Sequence, residues 1–192
     1  DTMPNAVKLF RKAQFAYRRL PDAIKASRPL ESETATELKF TNGSSFSVGT
    51  SARGGTVQFL HVSEMGKTAK KYPQKAREIV TGAIEAVPMD DGFIAVESTA
   101  EGNGGEFFDL CDDAMKKAQA GEELTPLDFK LHFFSWIGRQ DYELPAASAS
   151  FTEADQKYFR EVEAKTGRKI SPEQRLWWIK KRETLKRDMK RE

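Results

Sequence analysis

The chain of 192 residues is poor in cysteine and histidine, and it contains no long apolar run. Cys111 is its only cysteine, which excludes a disulfide framework and a cysteine-rich zinc site. Its apolar stretches are far shorter than the roughly 20 residues that a transmembrane helix needs. No secretory signal is visible at the start. We therefore expect a cytoplasmic protein without a membrane partner.

A phosphate-binding loop is also missing from the sequence. Such a loop has the pattern G-x-x-x-x-G-K-[ST], and its backbone N–H groups surround the phosphates of a nucleotide. The only Gly-Lys-Thr is Gly66-Lys67-Thr68, and His61 occupies the position of the first glycine. This segment follows Glu64 directly instead of opening a strand-to-helix phosphate turn. The sequence therefore predicts no phosphate loop within these 192 residues.

The composition, with 39% hydrophobic and 31% charged residues, is typical of a folded chain with one sizeable core. The net charge is +2, but the charges are unevenly distributed. From residue 151 onward there are 13 Lys and Arg against 8 Asp and Glu, whereas the first 150 residues have 18 against 21. The basic tail can contact phosphate groups, or it can be a solvated helix surface. Both interpretations stay open.

Hydrophobic periodicity predicts alternating strands and helices. Asn42-Gly43 lies between two alternating segments in residues 37–50, which predicts a hairpin. The order of the elements implies a parallel sheet with helices on its faces. We predict an α/β domain at 1–145 and a helical appendage at 146–192. The predicted elements are helices at 4–19, 73–86, 106–120, 152–164 and 172–190, and buried strands at 57–62, 93–96 and 129–134.

Two of the predicted strands are followed directly by polar side chains. Glu64 follows the first strand, and Ser98 and Thr99 follow the second. Parallel strands end at the same edge of a sheet, which is where open α/β sheets bind ligands. A carboxylate there can orient and deprotonate a water molecule, and hydroxyls can donate to a phosphate oxygen. The simpler interpretation, that the hydroxyls cap a turn, also stays open.

Four sequence blocks, in order and spacing, resemble the ATPase domain of phage terminase large subunits. The blocks are residues 42–44, 49–55, 60–64 and 97–102, followed by Gly105 and Phe108. The resemblance is best between residues 38 and 142. It implies a P-loop NTPase fold of the additional-strand, catalytic-glutamate type, with a mostly parallel sheet and flanking helices. The domain would be partial, because in that family the P-loop lies upstream of the first helix predicted here.

The resemblance also implies roles for individual residues. Glu64 matches the catalytic glutamate of the Walker B block. Arg53 resembles the arginine that terminases offer to the nucleotide of a neighbouring subunit, although a surface salt bridge is the alternative. Ser98, Thr99 and Ala100 match the coupling motif that senses the bound nucleotide and links hydrolysis to movement.

Ser63 departs from the family pattern, because an aspartate associated with Mg²⁺ often occupies this position. A serine brings no charge, so it would bind Mg²⁺ weakly and through water. The resemblance implies an ATPase that uses ATP and Mg²⁺ to package double-stranded DNA into phage or prophage procapsids. Its partners would be the portal protein, the small terminase subunit and further copies in a ring, in the host cytoplasm.

Without a P-loop, these 192 residues alone should not hydrolyse ATP. The family's nuclease activity is expected only in a missing downstream domain, since no acidic cluster follows Ser150. Two alternatives remain. One is another P-loop DNA motor of the helicase type, which shares both strand-end motifs. The other is a DNA-binding or procapsid-binding module without catalytic activity.

Overall fold

The computed structural model describes residues 3–50, 56–147 and 149–189, with side chains described as far as residue 185. The chain divides into two compact units, residues 1–131 and 132–192. This division comes earlier along the chain than the domain boundary predicted after residue 145.

The first part of unit 1 consists of two helices and a small antiparallel sheet. The predicted hairpin is confirmed, because Leu38 pairs with Phe46 across a turn in which Gly43 has a φ of +83°. Phe10 is buried, and its ring stacks on that of Phe46 at 5.7 Å, so helix and sheet pack together. The elements are α1 (Met3–Arg18), α2 (Asp22–Ser27), β1 (Leu30–Glu33), β2 (Glu37–Phe40) and β3 (Ser45–Ser47), in the sheet order β1-β2-β3.

The second part of unit 1 is a strand-helix-strand unit. The two strands are parallel neighbours, with Leu60 opposite Ile94 and Val62 opposite Val96. This confirms the prediction that the strands at 57–62 and 93–96 lie in one parallel sheet. The elements are β4 (Phe59–Ser63), α3 (Met65–Lys71), α4 (Pro73–Glu78) continued by a π-helical turn (Ile79–Ile84), β5 (Phe93–Glu97) and α5 (Glu106–Ala120).

The helices cover one face of this parallel pair. Val62 and Val96 pack against a buried cluster that includes Met65 of α3. On the opposite face, Phe59 and Phe93 stack with their ring centroids 5.4 Å apart and are 56% and 59% exposed. The alternation of strand side chains produces this difference. Parallel sheets are usually covered on both faces, so the exposed face of β4 and β5 is unusual.

The prediction of a third buried strand at 129–134 is wrong. These residues form no strand, and Phe133 and Phe134 are 80% and 82% exposed. An apolar run becomes a strand only when a neighbouring strand accepts its backbone hydrogen bonds, and no described strand pairs with this segment. The α/β class is confirmed, but the described parallel sheet has two strands instead of three.

Unit 2 is helical, as predicted. Its helices are α6 (Glu153–Thr166) and α7 (Pro172–Met189), preceded by a 3₁₀ turn (Gln140–Tyr142). Thr152 caps α6 by accepting the Asp155 N–H, and Gly167 in the left-handed region ends the helix. Phe159 is fully buried in a cluster with partners that include Trp178. Within the described ranges, no helix is long and apolar enough to cross a membrane.

Candidate functional site

The parallel register brings two predicted site residues to one edge of the sheet. Ser63 at the end of β4 lies opposite Glu97 at the end of β5. Glu64 and Ser98 are the next residues, so both leave the sheet at its carboxyl edge. This is the edge at which open α/β sheets bind ligands.

Glu64 has a strained backbone. Its φ of 56° and ψ of 40° place it in the left-handed region, immediately before α3, and it is the only non-glycine residue with positive φ in the described ranges. For a residue with a Cβ this conformation costs about 1–2 kcal/mol. Thr68, which is buried, donates both its N–H (3.0 Å) and its hydroxyl (3.1 Å) to the Glu64 carbonyl. These two hydrogen bonds hold the Glu64 backbone at the start of α3, from which its side chain extends.

The Glu64 carboxylate is only partly satisfied. The side chain is 35% exposed, but its Oε2 atom is buried and accepts no hydrogen bond from any described residue. Lys67 Nζ lies 3.4 Å from this atom, within ion-pair range but outside hydrogen-bond geometry. A buried acceptor without a donor costs about 1–3 kcal/mol. The oxygen is therefore available to accept a proton from a water molecule or a ligand.

Ser98 lies against the first turn of α3. A Cβ built on Gly66 would be 2.9 Å from the Ser98 hydroxyl oxygen and 2.9 Å from the Thr99 carbonyl oxygen. Only glycine therefore lets α3 approach the end of β5 so closely. The Ser98 hydroxyl oxygen is buried and, like Glu64 Oε2, finds no partner among the described residues. No local pattern in the sequence reveals this role of Gly66, because the contact joins residues far apart along the chain.

The remaining predicted residues lie around this edge or outside the described chain. Thr99 and Ala100 follow β5 and are exposed. Ser63 is also exposed and, by strand alternation, shares the open face of the sheet with His61. Arg53, which is predicted to act on the nucleotide of a neighbouring subunit, lies in residues 51–55, outside the described residues.

Two ion pairs connect the segment after β5 to the preceding helices. Lys70 of α3 lies 3.3 Å from Glu101, and Arg77 of α4 lies 3.4 Å from Glu106. Both cations are more than two thirds exposed, so each pair contributes little to stability. The two pairs lie on either side of the Gly-rich segment at residues 102–105, one with α3 and one with α4.

The donor atoms at this edge are all oxygens, which are the ligands that Mg²⁺ prefers. In the part of the chain that the structure describes, no group of three or more His, Cys, Asp or Glu is arranged to hold a metal ion. Ser63, which is predicted to bind Mg²⁺ through water, offers one uncharged hydroxyl on the exposed face of the sheet.

The arrangement combines a carboxylate oxygen that accepts no hydrogen bond, a hydroxyl without a hydrogen bond at the end of the neighbouring strand, and an open sheet edge. These groups can orient a water molecule and accept its proton. No family model matches this chain, and searches of curated proteins and of solved structures found no match.

Proposed function

We propose that this chain carries the water-activating part of a nucleoside triphosphate hydrolysis site, in a DNA-packaging ATPase similar to the phage terminase large subunits. The observation that supports this most is the parallel register of β4 and β5, which sends Glu64 and Ser98 out at one edge. The two buried oxygens without hydrogen bonds are a second support, because a bound water can donate to Glu64 Oε2 and the Ser98 hydroxyl can donate to a phosphate oxygen.

In this proposal Glu64 orients the attacking water and accepts its proton. Ser98 and Thr99 donate hydrogen bonds to the γ-phosphate, with Ala100 continuing the same motif. Mg²⁺, held through water near Ser63, would neutralise charge on the phosphates. Arg53 would act across a ring on the nucleotide of a neighbouring subunit.

The open sheet also supports a larger parent domain. A parallel pair with an exposed Phe59 and Phe93 leaves apolar surface in water, and small sheets need more strands or helices for independent stability. We propose that a P-loop strand from another part of the parent protein completes the sheet, giving the additional-strand, catalytic-glutamate type of P-loop NTPase. The partners would be double-stranded DNA, the procapsid portal and the small terminase subunit, in the host cytoplasm.

The test is a pair of matched substitutions in the parent protein. Glu64→Gln should lower ATP turnover at least 100-fold and leave nucleotide binding intact, because it removes only the proton acceptor. Glu97→Gln is the control. It removes the same charge one strand away, where the carboxylate lies on the exposed face with His61 Nε2 at 3.6 Å. Its turnover should stay near that of the unmodified protein.

Equal turnover in both variants would remove Glu64 from the mechanism. The 192-residue chain alone should show no Mg²⁺-dependent ATP turnover, and robust turnover would contradict the proposal that the phosphate loop lies elsewhere. Strand separation by the parent protein without DNA packaging would indicate the helicase-type motor instead.

A further inference from the structure

Unit 2 contains a depression lined mainly by cations, which we call the basic depression. It lies at the end of α6 and in the connection to α7, and its volume is about 400 Å³. Three of its six lining residues are basic and one is acidic. The lining residues are Arg160, Glu163, Ala164, Gly167, Arg168 and Lys169.

The single acid of the depression is already occupied. Glu163 Oε1 accepts the Ile170 N–H at 2.8 Å and the Arg175 guanidinium at 3.0 Å, and the side chain is only 11% exposed. The Ile170 N–H bond, with the Arg175 bond and charge after it, lowers the pKa of Glu163 below its usual value. Glu163 therefore stays ionised, and Arg175 offsets its charge in an ion pair, while Lys169 attracts it more weakly.

No hydrogen-bonded acid within the described chain competes for the three cations, and Glu163 acts on Lys169 only through its charge. Arg160, Arg168 and Lys169 are exposed, and within the described chain their side chains form no ion pair. Glu161 is an exposed acid on the same helix, but it does not line the depression. The basic depression therefore has a net positive charge, because three of its lining residues are basic and one is acidic.

The backbone holds these cations in place. Gly167 has a φ of +67° and donates its N–H to the Glu163 carbonyl, which turns the chain sharply after α6. The buried Ile170 then anchors the connection, and its carbonyl accepts a hydrogen bond from Arg175 at 3.1 Å. A fixed connection reduces the entropy lost when Arg168 and Lys169 bind a ligand.

The chemistry of the cations selects phosphate as the ligand. Guanidinium groups match the geometry of phosphate oxygens, and Arg160 and Arg168 provide two such groups. Because the depression is open to solvent, a single small anion would gain few contacts there, whereas a polymer brings several phosphates to the same surface. We propose that the basic depression binds the phosphate backbone of nucleic acid. This inference does not depend on the Glu64 site.

The experiment measures binding of the complete 192-residue chain to a fluorescent duplex DNA of mixed sequence, in 50 to 200 mM salt. The three cations are changed together to glutamine. If all three contact phosphates, the dependence of log K on log salt should become shallower by about two to three. The same relation gives a loss of affinity of about 100- to 500-fold near 0.1 M salt. The variant is Arg160→Gln, Arg168→Gln and Lys169→Gln.

A matched control removes three exposed cations from α1, in unit 1. It has the same net charge as the variant, so it separates local contact from overall charge. Its affinity should stay within about threefold of the unmodified chain, because these three cations do not line the basic depression. The control is Lys8→Gln, Arg11→Gln and Lys12→Gln, and circular dichroism verifies that all three proteins fold alike.

Several outcomes would overturn the proposal. One is unchanged DNA binding by the depression variant, and another is an equal loss in the control. Competition by inorganic phosphate at the same phosphate concentration as the DNA would show a small-anion site instead. Tighter binding of an acidic peptide than of DNA would indicate a protein ligand. In contrast, a loss of affinity that is the same for several DNA sequences would support the proposal, because contacts to the phosphate backbone do not read the base sequence.

Discussion

Gly66→Ala tests the contact on which the candidate site depends. The added methyl group would lie 2.9 Å from the Ser98 hydroxyl oxygen, 2.9 Å from the Thr99 carbonyl oxygen and 3.3 Å from Phe107 Cδ1. The serine hydroxyl can rotate, which relieves part of its contact with the added methyl group. The Thr99 carbonyl belongs to the backbone, so α3 and the end of β5 must move apart.

The expected size of the effect comes from two opposing terms. Inserting a methyl group into a closely packed position costs about 1–3 kcal/mol. Replacing a helical glycine by alanine returns about 0.5–1 kcal/mol where the space is open. We expect Gly66→Ala to be less stable than the unmodified chain by about 1–2 kcal/mol. Gly82→Ala is the control, because Gly82 is also helical and has no atom within 4 Å of its Cβ position. It should be as stable as the unmodified chain or more stable.

The assay must report on unit 1. Trp136, Trp177 and Trp178 all lie in unit 2, so tryptophan fluorescence follows the wrong part of the molecule. Amide hydrogen exchange in β4 and β5 measures the opening free energy directly. If Gly66→Ala protected these amides as well as Gly82→Ala does, the close contact would be refuted.

A second substitution identifies the contact partner. Ser98→Ala removes a buried hydroxyl that has no hydrogen bond among the described residues, so alone it should raise stability, by up to about 1–3 kcal/mol. Combined with Gly66→Ala, it should restore part of the lost protection, because one of the two 2.9 Å contacts is gone. If the effects of the two substitutions on amide protection simply add, the methyl group at residue 66 does not contact Ser98.

Two further predictions concern unit 2. Phe159→Ala should lower the stability of unit 2 by about 3–5 kcal/mol, because Phe159 is fully buried. Phe133 is 80% exposed, so Phe133→Ala should change that stability by less than about 0.5 kcal/mol. Urea unfolding followed by tryptophan fluorescence measures both effects. Hydrogen bonds from Thr152 and then Arg182 lower the pKa of Asp155, so the carboxylate stabilises the fold above its ordinary value of 3.8 and loses this effect as pH falls through the lowered value. The same assay between pH 7 and pH 3 should show this decline, and Asp155→Asn should make it smaller; identical profiles would contradict it.

Local signals in the sequence were sufficient for much of the fold. Asn42-Gly43 predicted the hairpin because positive φ is a local requirement of the turn. Helix α6 was predicted from its own terminal residues, the Thr152 cap and Gly167. Each of these features depends on a few consecutive residues, so it could be read without knowing what packs around it.

Features that depend on distant residues could not be predicted in this way. The apolar run that includes Phe133 and Phe134 indicated burial, but nothing in the run specifies a partner strand. Helix α3 was not predicted, because it begins directly after Glu64. The left-handed backbone conformation of this residue is one that no local pattern for glutamate favours. The role of Gly66 depends on Ser98, and only the folded chain brings these two residues together.

The cost of the candidate site is itself an argument for function. A chain selected only for stability would place glycine or asparagine at the left-handed position of Glu64, and alanine at Ser98. The glutamate costs about 1–2 kcal/mol of backbone strain, and each buried oxygen without a donor costs about 1–3 kcal/mol. Several unfavourable terms therefore meet beside one helical turn, at the sheet edge where ligands bind. A ligand that donates hydrogen bonds to these oxygens would remove most of the penalty, which is how strained sites in proteins favour the bound state.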